Sequence, residues 1–314
     1  MGRKGSINYQ IKKRLTELYR FGVSKREAKK NGETYGIHSK KTFDVYCEHL
    51  CRMAKKIQAE TGAKTLDEIL SYVPAFLKQQ ADSGDYSVWT LKLELAAVAK
   101  FISCPSSQIL LPGWELPKRM HGDIKRSRTS TKADEEFSEE KNADAVTIGH
   151  ALGLRRHEYP QMIETQIIDG QIQPGWRTLD KRDVENGLTH EYWMNFFHVF
   201  VKKGKGGRAR WVPVYPGMET EVIEILKRRS ATRNGKAFYA YDLRSRMDCH
   251  GYRRMYAKAM YNHLMSRPDT DKTLNYHCRG ERFGESYSRS CAEGTSSSLG
   301  HNRVDVVIGN YLDS

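Results

Sequence analysis

The chain has 314 residues, with 52 Lys and Arg against 38 Asp and Glu, so it is long enough for two separate cores and carries a formal net charge of +14. No run of about 18 apolar residues occurs, and the charged start has no apolar stretch behind it, which excludes secretion and membrane spanning as expectations. The six cysteines form no Cys-x-x-Cys pair, which points to free thiols in a reducing cytoplasm and to no metal site. The positive surplus favours a polyanionic partner, because each neutralised phosphate releases counterions; on charge alone nucleic acid, ribosome and an anionic membrane surface all qualify.

Residues 1–36 read as a basic N-terminal arm. Ile7, Ile11, Leu15 and Leu18 recur at helical spacing with Lys12, Lys13 and Arg14 between them. Gly22 stops that helix, and Ser24 with Glu27 forms a capping box opening a short basic helix that ends near Asn31-Gly32. Residues 37–110 read as an all-α domain. Its apolar stripes are Phe43, Tyr46, Leu50 and Met53, then Leu66, Ile69, Val73 and Phe76, then Leu91, Ala96, Val98 and Phe101. Lys40 and Lys41 at its start are placed to lie along a phosphate backbone. Residues 111–133 read as a basic linker: Pro112, Gly113 and Pro117 break regular structure, and Lys125, Arg126 and Arg128 add charge.

The domain from 134 to 314 reads as mainly α with a small antiparallel β-sheet. Ala143 to Leu154 is helical, and strand patterns follow at 166–169 and 193–201. Lys202 to Arg208 is a glycine-rich turn, and 209–214 alternates as its returning strand, which makes a hairpin tipped by Lys205 and flanked by Lys203 and Arg208. Helices resume at 218–228 and 252–265 and continue to the end. Trp193, Phe196 and Phe197 read as core.

Four pieces of this domain carry chemistry. Arg155 and Glu158 stand three apart on a helix, so the carboxylate orients a guanidinium whose planar fork suits two phosphate oxygens. Gly204-Lys205-Gly206 lets backbone approach a phosphate closely, yet no Gly-x-x-x-x-Gly-Lys-Ser/Thr is present, which excludes a nucleotide-binding P-loop. Tyr276-His277-Cys278-Arg279 supplies a second arginine with polar neighbours. Leu299-Gly300-His301 is followed by Tyr311, with Val304, Val307 and Ile308 on the same helical face. Taken singly these are a surface ion pair, a lysine-rich turn and a packed tyrosine.

Taken in order, the set resembles the tyrosine recombinase (phage integrase) family across residues 153–312, and the all-α segment ahead of it is similar to that family's core-binding domain. Two departures stand out. The family's histidine three residues before its second arginine is replaced by Tyr276, with His277 one position late. The step from His301 to Tyr311 is also ten positions where nine is commoner, and an added residue turns an ideal helix by about 100°; Gly309-Asn310 is a place to absorb it.

The resemblance implies a site-specific DNA recombinase of bacterial, phage or other mobile-element origin, acting in the cytoplasm at the nucleoid. Tyr311 would attack a phosphodiester and form a 3′-phosphotyrosyl intermediate without cofactor, metal or ATP. Arg155 and Arg279 would hold the non-bridging oxygens, Lys205 would protonate the leaving 5′-oxygen, His301 would bind the phosphate or assist the phenol, and Tyr276 would add a hydrogen bond, with Glu158 and His277 in support. The implied partner is double-stranded DNA. Only three residues follow Tyr311, so a homotetramer on paired sites, assembled from monomers in free solution, would need contacts other than a long C-terminal tail. Two rivals remain: a type IB topoisomerase-like relaxing enzyme, told apart by exchanged products from two duplexes, and an inert basic DNA-binding protein, told apart by covalent trapping.

Overall fold

The computed structural model describes residues 5–23, 25–118, 120, 137–161, 165–168, 171–204, 208–233, 236–239 and 247–312. It divides into two units, Met1–Asp123 and Ile124–Ser314. Among the described residues no helix is long and apolar enough to cross a membrane, and no group of three or more His, Cys, Asp or Glu is placed to hold a metal ion.

In the first unit, α1 (Ile7–Glu17), α3 (Lys40–Thr61), α4 (Leu66–Asp82) and α5 (Val88–Ile102) each begin where a hydroxyl accepts a backbone N–H: Ser6, Ser39, Thr65 and Ser87. Thr65 and Glu68 cap each other's backbone reciprocally, and each such cap contributes roughly 1 kcal/mol. A short α2 spans Lys25–Lys30. The core interleaves Phe43, Leu50 and Met53 with Val73, Phe76 and Phe101. The opening segment is part of it, since Ile11, Leu15 and Ile37 are buried in the same cluster. Within this apolar interior Glu94 is fully buried, with Oε1 2.9 Å from Arg52 Nη2 and 3.4 Å from His49 Nδ1.

The second unit surrounds a three-stranded antiparallel sheet of β3 (Trp176–Thr178), β4 (Phe197–Val201) and β5 (Arg210–Pro213), with Val199 opposite Val212 and Val201 opposite Arg210. A hairpin, β1 (Thr165–Ile168) and β2 (Gln171–Pro174), precedes it. Helices α6 (Ala143–Leu152), α7 (Lys181–Glu185), α8 (Glu219–Arg229) and α9 (Cys249–Ser266) accompany the sheet. Hairpin β6–β7 (Ser230–Arg233, Lys236–Tyr239) lies between α8 and α9. The core joins Val199 and Val212 to Ile148, Leu152, Ile225 and Met260. The chain is thus mainly α with a small antiparallel sheet.

Two elements differ from the sequence expectation. The strand expected from 193 begins only at Phe197: Glu191–Trp193 is a 3-10 turn, and Asn195 takes φ +69°. Trp193 is buried there and donates Nε1–H to the Gly294 carbonyl at 2.6 Å, so anchoring the indole takes precedence over extending the ladder. The run of helix expected after 265 is broken by a two-stranded hairpin, β8 (Tyr276–His277) and β9 (Ser286–Tyr287), before α10 (Arg289–Ser298) and α11 (Val304–Val307). Strands of two residues are too short to leave a period in the sequence.

Candidate phosphate-binding and nucleophile site

Helix α6 stops at Leu152, so Arg155 and Glu158 are not on one helix: Arg155 sits in the connection and Glu158 in the 3-10 turn Arg156–Gln161. The turn still brings them together. Arg155 N–H donates to Glu158 Oε2 at 2.9 Å, and Arg155 Nη1 donates to Oε1 at 2.9 Å. From β5, Arg210 grips the same carboxylate with both Nη atoms, at 2.7 and 2.9 Å. Glu158 is fully buried, whereas Arg155 and Arg210 keep 11 % and 12 % of their side chains exposed. One carboxylate therefore holds two guanidinium groups at a surface they share.

Burial by itself would raise the Glu158 pKa, but the hydrogen bonds and charge of Arg210, with the Arg155 N–H, prevail and bring it to about 2. A depressed carboxylate stabilises the fold fully above its unfolded pKa, near 4.5, and loses that contribution as pH falls toward 2. The expected contribution is on the order of 3 kcal/mol. Thermal melts between pH 5 and 2 (roughly the span of the two pKa values) should show it in the wild type and a flatter profile in Glu158→Gln.

Two glycines let Arg210 in. A Cβ on Gly204 would lie 2.7 Å from Arg210 Nη1 and 3.3 Å from Glu158 Oε1. Gly300, at φ +65°, would place one 2.7 Å from Arg210 Cδ. The glycine of Leu299-Gly300-His301 thus serves both a left-handed turn and a close approach. The turn follows α10, where Ser296 Oγ donates to the His301 carbonyl at 3.0 Å. His301 Nε2 lies 3.2 Å from Arg155 Nη2. Arginine has no acceptor, so Nε2 accepts, and the neutral ring carries its proton on Nδ1.

Tyr311 completes the group. Its ring centroid is 5.6 Å from that of His301, and its hydroxyl accepts from Arg253 Nε at 3.3 Å. Helix α11 passes at Ile308 into a π-helical turn, Ile308–Leu312. A π turn holds one more residue than an α turn, and that is where the extra position in the ten-residue step from His301 to Tyr311 is accommodated. Val307 and Ile308 are buried as the helical face requires, and Tyr311 is partly buried.

Arg253, on α9, is fully buried and donates to the Gly153 and Leu299 carbonyls, the C-caps of α6 and α10, as well as to the phenol. Burial pulls its pKa down to about 10, and the two helix C-termini supply negative ends that tolerate a cation. It fixes at once the segment leading to Arg155, the segment leading to His301, and Tyr311.

A cavity of about 530 Å³ opens at this cluster, lined by Arg155, Arg208, Arg210, His190, His301 and Asn302. Another, of about 550 Å³, has Tyr276, Arg289 and Arg303 in its wall and shares His190 and His301. Arg210 Nε is a buried donor with no acceptor among the described residues.

The structure therefore gathers Arg155, Glu158, His301 and Tyr311, with Tyr276 at the edge. It does not bring Arg279 in. Arg279 is exposed on the β8–β9 hairpin, and among the described residues its guanidinium has no hydrogen-bond or ion-pair partner. His277 is exposed too, with Nδ1 2.9 Å from Ser286 Oγ. Lys203 and Arg208 are exposed beside the turn closed by Gly204 N–H to the Arg208 carbonyl; Lys205, and the linker cations Lys125, Arg126 and Arg128, lie outside the described residues. In the first unit Lys40 and Lys41 are exposed at the start of α3, Lys40 paired with Asp44 at 2.8 Å. Sequence reasoning gave no site role to Arg210 or Arg253. For Arg253 a signal was present: His250-Gly251-Tyr252-Arg253 has the His-x-x-Arg spacing sought at 276–279.

No family model matches the sequence, and no curated protein does. Among solved structures the chain is similar to the crystal structure of XerA recombinase, over 98% of this chain and 94% of that one, at 14% identity and a TM-score of 0.26. A likeness that distant carries no argument about activity.

Proposed function

We propose that the chain is a site-specific DNA recombinase that cleaves and rejoins strands through Tyr311. The observation that carries this reading is the phenol held by Arg253 and set beside His301, which is itself bonded to Arg155. Arg155 and Arg210 share one carboxylate and Arg253 adds a third charge nearby, so a surplus of positive charge remains for a phosphate entering the cavity to neutralise.

In the proposed reaction Tyr311 Oη attacks phosphorus, a phosphotyrosyl bond forms, and the bond to the 5′-oxygen breaks. A phenol with a pKa near ~10 is a poor nucleophile at neutral pH, so its proton passes to water or to His301 as the bond forms. Arg253 donates to the oxygen that becomes negative, and Arg155 and Arg210 hold the non-bridging oxygens. Lys205 is assigned the proton for the leaving 5′-oxygen, and His301 positions the phosphate with Arg155. Attack by a 5′-hydroxyl of a second duplex releases Tyr311 and completes exchange. Exposed cations of both units bind the DNA backbone, and protomers assemble as a tetramer on paired sites.

The test is covalent trapping. A nicked duplex carrying the recognised site, obtained by selection from random sequence, should leave wild-type protein attached to the 3′ end, with the adduct mapping to the peptide that contains Tyr311. Protein that binds this DNA tightly yet yields no adduct would refute the proposal.

A further inference from the structure

We infer that Arg282, on the hairpin between β8 and β9, is a positioning residue that sets the rotational register of Tyr311. This rests on the reading of Tyr311 as the nucleophile. Arg282 Nη1 donates to the carbonyl of Ile308 at 3.2 Å, and Ile308 is the first residue of the π turn carrying the phenol. The rest of its guanidinium is occupied: Nε donates to Glu285 Oε2 at 3.0 Å, Nη2 donates to Glu285 and, at 2.7 Å, to Tyr287 Oη, and the group lies 5.5 Å from the Tyr287 ring centroid. Tyr287 donates its own proton to Glu285 at 3.1 Å, and its pKa is raised to about 12, chiefly by burial, which keeps that proton in place. Only 10 % of the Arg282 side chain is exposed. It is a fixed strut with one arm reaching the tyrosine segment.

Its use follows from what a π turn can become. A π turn is rarer than α-helix and persists where the surroundings hold it. If this one relaxed to α geometry, the side chains within it would rotate relative to α11, by up to about 100° at its far end. The phenol would then leave Arg253 and His301. Arg282 holds the carbonyl at which the helix changes pitch, so it opposes that slip. The same hairpin presents Tyr276 to the cavity beside His301, opposite Tyr287 in the register, so one buttress aligns both an edge of the cavity and the attacking group.

The experiment compares Arg282→Met and Arg282→Lys with wild type, reading single-turnover adduct formation on the nicked duplex, DNA affinity and melting temperature. Arg282→Met should slow adduct formation by about ten- to hundredfold with affinity unchanged, and Lys should restore part of the rate. Deleting Asn310 supplies a second arm: it shortens the step to Tyr311, so it should impair wild type and restore Arg282→Met. A wild-type rate in Arg282→Met, a loss of rate matched by loss of DNA affinity, or a deletion equally harmful in both backgrounds would overturn the inference. If wild type itself yields no adduct, the recombinase reading is what has failed.

Discussion

Tyr311→Phe is expected to eliminate covalent attachment to DNA while leaving binding to the same duplex intact. Phenylalanine keeps the ring that packs 5.6 Å from His301 and under the Arg253 guanidinium, 5.4 Å from its centroid. Only the hydroxyl is lost, and with it a single hydrogen bond from Arg253 Nε. Because Arg253 Nε is buried and loses its acceptor, the stability cost should be about 1–3 kcal/mol, which a melting curve reads beside the trapping assay. No other described tyrosine hydroxyl has hydrogen bonds to this arginine, and Tyr276 sits on a separate strand. Denaturing gels of the trapped reaction, read beside a binding isotherm, separate the outcomes. Adduct persisting in Tyr311→Phe would assign the attack to another residue, and binding lost with the adduct would mean that the hydroxyl does something other than attack.

The second large effect concerns which arginine partners Arg155. Arg253→Met should slow adduct formation by on the order of 10²–10³-fold, the usual cost of losing one donor at a developing negative charge. Arg253→Lys keeps a charge but a single ammonium cannot reach two carbonyls and a phenol at once, so it should fall between. Arg279→Ala, by contrast, removes an exposed side chain and should leave the chemical step nearly unchanged while weakening binding to DNA at low salt. Because Arg253 also closes two helices, its variants need a melting curve beside the rate. A Met variant that folds, binds and reacts at the wild-type rate would return the role to Arg279.

What could be read from the sequence was whatever is local in the chain. Leu299-Gly300-His301, the Arg155 to Glu158 step and the alternation of β5 are short-range patterns, and the structure places each in one region. Arg253 went unread because its neighbours Tyr252, Tyr256 and Met260 mark α9 as an interior helix, where a charged residue looks like an interruption of the apolar face. The expectation then settled on the arginine nearer to His301, on a hairpin whose strands are too short to announce themselves. Arg210 could not be assigned either, since its partners Glu158, Gly204 and Gly300 come from three separate segments. The π turn left a trace only as a residue too many. In the first unit the hydroxyl caps and apolar stripes were legible, whereas the buried Glu94 was not, because an ion pair with Arg52 is a tertiary fact.

The position of Arg253 bears on how this half of the molecule assembles. Its donors terminate two helices whose ends lie 146 residues apart in the chain, Gly153 and Leu299. A guanidinium in an apolar interior is tolerable only when both acceptors have arrived. Neither end can settle alone without stranding a cation away from water, so the segments that carry Arg155 and His301 gain order in the same event.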